Sequence, residues 1–324
     1  MPSDMYWPPQ SGFSMVELMI AMVISLVLLG GVLQILSSTK NSYLMQDGTS
    51  RLQQNARFAI DRIIQDISAS GYMGCLDSGD ADFPIFNDLT NKAAGSAWDF
   101  GTAIFGTEGT GVNGTDTISI RRGGTNGGIR LTSPMTTKTS PLQLDDTDGA
   151  YASLRQYDVV AIGDCGNASV FIITNDPTTS GGTIEHAPAI TGNGNSNETG
   201  SLGYTYGSET ASAAMAFQVG TRTYMLCPSL VGPGTSLFVD ACGIAGNELV
   251  PGVQDLQITY GLDTNTVEGA DRYLRANQIA VNQWNNVVSA RITLDLNTVN
   301  PVPGGAVVRS FTTTVRLRNR GEPS

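Results

Sequence analysis

A single carboxylate, Glu17, lies near the start of an otherwise uncharged apolar stretch that covers residues 13–36. A carboxylate inside a bilayer costs roughly 2.5–3.5 kcal/mol on insertion scales, so it normally has a partner and a function there. The Gly12–Phe13 junction, a small residue followed by an aromatic one, stands directly before the stretch. The spacing therefore indicates that Glu17 does more than mark one end of a membrane anchor.

The four cysteines, Cys75, Cys165, Cys227 and Cys242, form the second group of reactive residues. None belongs to a Cys-x-x-Cys pair, and His186 is the one histidine, so a zinc site is disfavoured. Behind a membrane segment that exports the rest of the chain, two disulfides are the expected state. Short loops close most easily, which predicts the pair Cys227–Cys242 and, with it, Cys75–Cys165.

Enzymatic chemistry finds little support in the remaining residues. His186 lies in a loop rich in Gly and Thr, and no Ser/His/Asp set can be built around it. Residues 144–149, LDDTDG, fail as a calcium loop, because an EF-hand would need an oxygen ligand at Leu144 and a glutamate at Arg155. Residues 121–128, RRGGTNGG, lack the Lys-Ser/Thr of a phosphate-binding loop. We therefore predict a protein that is not an enzyme and that needs no metal or cofactor.

The element that must position Glu17 is a membrane helix. At ~1.5 Å per residue, residues 13–36 form about 36 Å of helix, enough to cross ~30 Å of hydrocarbon. A secretory signal peptide would need a basic start, a shorter apolar core and a small-residue cleavage site, and none of these is present. An ordinary anchor helix stays open, although it gives no reason for Glu17.

The helix is predicted to continue to residue 71 as an amphipathic segment. Apolar residues recur there at spacings of three and four and form one face, widened by Ile60 and Ile64: Leu52, Ala56, Ala59, Ile63 and Ile67. This face is suited to lie on a sheet, and charged residues, Asp66 among them, are expected largely off it. Bends are cheap at residues 30–31 and at Gly48.

The rest of the chain is predicted to be β-structure. Stretches rich in β-branched residues and bounded by turn residues occupy residues 116–122, 157–164, 169–176, 214–226, 236–241, 253–263, 287–297 and 307–319. In the stretch 287–297 apolar and polar residues alternate, which predicts a sheet covered on one side: Val288, Ala290, Ile292, Leu294 and Leu296 share the covered face. We predict an α+β fold with a long N-terminal helix packed on an antiparallel sheet, long surface loops, and Trp284 in the core.

Charge limits the partners. The 324-residue chain has a formal net charge of −11. Nucleic-acid binding rests largely on Lys and Arg against phosphates, so no nucleic-acid partner is predicted.

Residues 12–21, GFSMVELMIA, resemble the class III signal of type IV prepilins, although the usual basic residues before the glycine are missing. The resemblance implies that prepilin peptidase cuts between Gly12 and Phe13 and that the new N-terminus at Phe13 is methylated. It also implies that Glu17 meets the N-terminal amine of a neighbouring subunit. The chain would then comprise a leader (1–12), a long helix (13–71, with 13–36 in the membrane) and a β-rich domain (72–324).

Residues 248–264 and 283–296, together with 71–75 and 158–174, are similar to the minor pilin family PilW. The N-terminal signal is common to pilins and pseudopilins. The pattern Gly-Val-x-Asp-Leu-Gln-Ile-x-Tyr-Gly followed by Trp-x-x-Val favours PilW over the J-like pseudopilins of type II secretion.

Membership of this family implies a role in initiating pilus assembly. The implied partners are other minor pilins, the major pilin, a large tip adhesin, prepilin peptidase and the inner-membrane assembly platform. The implied location is the inner membrane, as a single-pass protein with a periplasmic domain, and then the extracellular fibre or its tip. A J-like pseudopilin and a secreted or anchored enzyme remain the alternatives.

Overall fold

The computed structural model of the protein describes Gly12 and residues 14–72, 85–124, 127–164, 166–207, 214–265 and 269–319. Within these residues the chain forms one long α-helix, α1 (Met15–Ser68), followed by fifteen β-strands and several short 3-10 turns. The predicted long helix is therefore present as one uninterrupted element.

The strands follow the helix in chain order. The first eight are β1 (Ile85–Asn87), β2 (Ile104–Thr107), β3 (Thr117–Gly123), β4 (Ile129–Ser133), β5 (Leu142–Leu144), β6 (Val159–Gly163), β7 (Ala168–Ile172) and β8 (Thr183–Ile184). The last seven are β9 (Met215–Pro228), β10 (Thr235–Val239), β11 (Glu248–Pro251), β12 (Val253–Leu262), β13 (Arg272–Arg275), β14 (Val287–Asn297) and β15 (Val308–Arg316).

The strands form two sheets. The larger runs β1-β7-β6-β9-β4-β5-β8, with β2, β3, β10 and β11 joined to it through β9, and the smaller runs β13-β12-β14-β15. The pairs are antiparallel as predicted, with one exception: β1 pairs with β7 in parallel, starting at Ile85 opposite Ala168. Parallel pairing needs a long crossover, and the many elements between β1 and β7 supply it.

Helix α1 closes the space between the two sheets, because it contacts β3 and β11 of the larger one and β14 and β15 of the smaller one. The predicted apolar face is confirmed, with Ile60 and Ile64 packed at its margins; its fully or nearly buried members are Leu52, Ala56, Ala59, Ile63 and Ile67. Burial of this stripe, rather than helix propensity, is what holds the C-terminal half of α1 in place.

The alternation along β14 differs from the prediction at its first residue. Gly261 of β12 faces Ser289 while Leu262 faces Val287, which leaves Val288 as the extra residue of a β-bulge. A bulge shifts the side-chain alternation by one, so Val287 joins the core in place of Val288. The other predicted inward residues of β14 are buried: Ala290, Ile292, Leu294 and Leu296.

Trp284 is a core residue, as predicted. Its side chain is 1% exposed. Its ring centroid lies 4.7 Å from that of Phe105 and 4.8 Å from that of Tyr260. The indole thereby joins β2 to β12 through a tilted contact with Phe105 and an edge-on contact with Tyr260.

Two contacts fix the direction of α1 along β15. Gly48, a position where a bend would be cheap, lies inside the continuous helix, where a Cβ atom would come 2.8 Å from Val302 Cγ1. At the other end, Asn319 Nδ2 donates to the carbonyl oxygen of Ser70 at 3.1 Å. Because residue 48 meets the turn before β15 and residue 70 meets the residues after it, the helix and the strand run side by side in one direction.

Candidate functional site

The N-terminal half of α1 is an apolar rod that the rest of the chain leaves uncovered. Its most apolar 18 residues are not buried by any other part of the described chain. Every residue from Ser14 to Tyr43 is exposed, and no charged residue occurs between Glu17 and Lys40. Its length and composition suit a membrane-spanning segment.

Two hydroxyls within the rod are satisfied by the helix itself. Ser25 Oγ donates to the carbonyl oxygen of Ala21 at 2.7 Å, and Thr39 Oγ1 donates to that of Ile35 at 2.8 Å. A polar group without a partner is costly in hydrocarbon, and these internal bonds remove that cost. These two hydroxyls are therefore compatible with surrounding lipid.

Glu17 lies in the first turn of α1. Ser14, in an extended conformation, precedes the helix and makes no side-chain cap; its carbonyl oxygen accepts from the backbone N–H groups of Glu17 at 3.0 Å and Leu18 at 3.1 Å. The positive end of the helix dipole favours a carboxylate here. Gly12 is exposed, whereas residues 1–11 and Phe13 lie outside the described residues.

Asp66 lies at the centre of a buried charge cluster between α1 and the larger sheet. Its side chain is fully buried, and Arg122 Nη1 of β3 lies 2.9 Å from its Oδ1. The Tyr224 hydroxyl of β9 donates to Asp66 Oδ2 at 2.6 Å, and Arg222 Nε of the same strand lies 3.9 Å from that oxygen. The expectation that Asp66 lies off the buried face is therefore wrong.

The partners of Asp66 are kept in position by the strands to which they belong. Burial raises the pKa of Tyr224, and its hydrogen bond to Asp66 and the Asp66 charge raise it further, so the phenol remains a donor.

Spacing alone could have indicated that Asp66 is buried, because it follows the buried Ile63 by three residues and Ala59 by seven. The prediction assigned Asp66 to the exposed face because the residue is polar, whereas its position in the helical repeat places it on the buried face.

The disulfide predicted between Cys227 and Cys242 is confirmed, with the two Cα atoms 5.8 Å apart. Cys227 is near the end of β9, and β9 pairs antiparallel with β10 in a hairpin. Cys75 and Cys165, the other predicted pair, lie outside the described residues.

Removing this bond is expected to destabilise the domain by roughly 3 kcal/mol, because the unfolded chain regains the freedom of the 15-residue loop. The variant is Cys227→Ser/Cys242→Ser, measured by denaturant unfolding of the full chain in detergent micelles. Cys227→Ala/Cys242→Ala is the control, since it removes the bond without burying a new hydroxyl. Unfolding of both variants at the wild-type midpoint would contradict the prediction.

His186 joins loops and has the surroundings of a structural residue. It is 3% exposed, with Nδ1 3.1 Å from the carbonyl oxygen of Gly200 and Nε2 3.0 Å from that of Ser140. Its ring lies edge-on to Phe171, 5.4 Å away between centroids. These neighbours are carbonyls and an aromatic ring rather than a nucleophile and a carboxylate.

The acidic turn and the arginine pair are also structural. In residues 144–149, Asp145 accepts from the hydroxyl and backbone N–H of Thr147, which lowers the pKa of the Asp145 carboxyl.

Arg121 of β3 is fully buried and donates to Thr102 Oγ1 at 2.9 Å and to the carbonyl oxygen of Ser96 at 2.6 Å. Burial lowers the pKa of Arg121 to about 10 against the raising effect of Asp99. Over the described ranges no three His, Cys, Asp or Glu side chains are placed to hold a metal.

Two known family models match the chain, one in the β-rich domain and one at the N-terminal segment. Residues 217–307, from β9 to the turn after β14, match the family model described as "Type IV Pilus-assembly protein W". Residues 7–33, which include the Gly12–Phe13 junction and Glu17, match the prokaryotic N-terminal methylation motif. No curated protein and no solved structure matches the chain.

These matches confirm the resemblance to the PilW family and the α+β pilin-like fold. The two matches support a type IV pilin-like protein of pilus assembly, and the apolar helix and the prepilin motif support membrane anchoring and association with the pilus. Domains of this family are structural rather than enzymatic.

Proposed function

We propose that this protein is a minor pilin that helps to initiate type IV pilus assembly in a tip or priming complex. Its partners there would be other minor pilins, the major pilin and a large adhesin. The observation that carries the proposal is the single helix α1, whose exposed apolar half bears one carboxylate and whose other half is fixed inside the β-rich domain.

Proteolytic processing is the first step in the proposed assembly of this chain. Prepilin peptidase cuts between Gly12 and Phe13 and methylates the new N-terminus, while the apolar half of α1 stays in the inner membrane and the domain lies in the periplasm. The assembly platform then passes the subunit into the filament. Opposite charges attract strongly in a medium of low dielectric constant, so the Phe13 amine of a neighbour would neutralise Glu17 there.

A J-like pseudopilin of a type II secretion system is the alternative function, because the N-terminal signal is common to both systems. The match over residues 217–307 favours the pilus. The deciding experiment is deletion of the gene and restoration from a plasmid, with surface pili and secreted proteins measured together. Loss of pili with normal secretion supports the proposal, and loss of secretion with normal pili supports the alternative.

Processing gives a separate prediction. Gly12→Val should leave the precursor uncut, because a peptidase junction must be small and unhindered, whereas wild type should yield a chain beginning at Phe13. N-terminal sequencing and the gel mobility of the membrane form measure both. Gly30→Val is the matched control, since a Cβ at Gly30 meets nothing within 4 Å, and it should be processed normally. A mature chain that begins elsewhere would overturn the assignment.

A further inference from the structure

Strand β15 leaves one edge of the smaller sheet open. It is the last strand in that sheet, and its register against β14 runs through nine residue pairs without a bulge. Leu317 N donates to the carbonyl oxygen of Val288 at 2.9 Å, and Thr298 N donates to that of Val307 at 3.0 Å. The backbone N–H and C=O groups of the odd-numbered residues therefore bond to β14. Because these groups alternate in direction along a strand, those of the even-numbered residues point outward: Val308, Ser310, Thr312 and Thr314.

The residues that carry these outward groups are exposed. The side chains of Ser310, Thr312 and Thr314 are exposed, and no described strand pairs with this side of β15. Proteins usually blunt an open edge with proline, a bulge or charged side chains, lysine above all. The strand from Val308 to Arg316 has no proline, lysine or bulge; its charged residues are Arg309 and Arg316, and it is rich in β-branched residues. The edge is thus a regular template for a further strand.

Charge selects the kind of strand. Residues 308–318 contain Arg309, Arg316 and Arg318 and no acidic residue, in a chain whose net charge is −11. A second copy pairing through β15 would bring two such positive strands side by side, and like charges across a sheet are destabilising. A strand that carries carboxylates would instead be attracted.

We propose that the open edge of β15 is a strand-addition site for an extended, acidic segment of a different protein. The inference deepens the proposed function, and it rests on that function for the partner being another component of the pilus. Main-chain hydrogen bonds to the outward groups would supply affinity that does not depend on the partner's side chains.

The two faces of β15 define what the added strand should look like. On the face toward the core, Phe311 is partly buried and packs on the core cluster, with the exposed Arg309 two residues before it. On the other face stand the hydroxyls of Ser310, Thr312 and Thr314. Cross-strand neighbours are matched by type, so the partner strand should alternate apolar and hydroxyl residues and place a carboxylate beside Arg309.

The test uses the full chain in detergent micelles and a fluorescein-labelled peptide, Asp-Val-Thr-Val-Thr-Val-Asp amide, followed by anisotropy. Thr312→Pro removes an outward N–H without touching the ladder to β14, and proline is tolerated on edge strands. It should weaken binding at least tenfold, whereas Thr312→Val, which keeps the N–H, should bind as wild type does. A peptide with lysine in place of both aspartates should bind wild type at least tenfold more weakly, and Arg309→Glu should reverse that preference.

Three results of this experiment would overturn the inference. They are no binding to wild type, equal binding to Thr312→Pro, and a Thr312→Pro-sensitive dimer of the chain itself. The same pair of variants in the deletion strain separates this inference from the proposed function. Pili lost on deletion and restored equally by Thr312→Pro and Thr312→Val would overturn the strand-addition site alone. Pili unaffected by deletion, with peptide binding as expected, would overturn the priming function and leave the binding site standing.

Discussion

Replacing Glu17 with alanine is expected to leave cleavage and membrane insertion intact and to reduce the number of surface pili severalfold or more. In the filament the buried amine of a neighbouring subunit would lose its counter-charge. Removing one partner of a buried pair costs roughly 3–5 kcal/mol, enough to lower entry into a priming complex by at least two orders of magnitude. Because few copies serve in such a complex, the fibres that do form should look normal.

The measurement is a count of surface pili in a strain that carries only the variant, with membrane levels matched by immunoblot. Gln34→Ala is the control, a polar-to-apolar change in the same exposed rod without a change of charge. If Glu17 served anchoring alone, its loss would favour insertion, since a charge in the bilayer is costly. Normal piliation with normal incorporation of the Glu17→Ala chain would therefore refute the pairing.

Asp66→Asn is expected to destabilise the domain by about 3–5 kcal/mol, the largest effect on folding among the variants considered. Asparagine keeps the shape and can still accept from Tyr224, but it removes the one negative charge of the cluster. Arg122, whose side chain is only 17% exposed, and Arg222 would then be partly buried positive charges that have lost the carboxylate with which each is paired.

Denaturant unfolding of the full chain in micelles, followed by tryptophan fluorescence, measures this loss. Asp61→Asn is the matched control, because it removes the same charge from an exposed position on the same helix and should change stability by less than about 0.5 kcal/mol. Replacing the pair with apolar residues, Asp66→Leu/Arg122→Met, should recover much of the stability. Equal midpoints for Asp66→Asn and Asp61→Asn would refute the stabilising role of the cluster.

The sequence predicted the elements whose signal is local. The apolar spacing from Leu52 to Ile67 predicted both the helix and its buried face, and the stretch of residues 287–297 predicted the bounds of β14. The bulge at Val288 and the parallel pairing of β1 depend on strands distant in the chain. No period within either segment encodes them.

The candidate site divides in the same way. Glu17 and the Gly12–Phe13 junction stand in one short stretch, and the hairpin brought Cys227 and Cys242 close enough to pair by proximity. The Asp66 cluster has no such local signal for its partners, because Tyr224 is 158 positions away. A carboxylate at a buried position of a helix requires a cationic partner, but only the tertiary fold determines which residue supplies it.

The parallel course of α1 and β15 has a mechanical consequence. Tension on a fibre would reach this subunit through the apolar rod and would pull along the helix axis. The contacts at Gly48 and Ser70 and the Asp66 cluster between them would then be loaded in shear, all at once, rather than peeled apart one after another. Resistance to force depends on the unfolding rate rather than on equilibrium stability, so this geometry suits a subunit that must transmit tension from the membrane-side helix into its sheets.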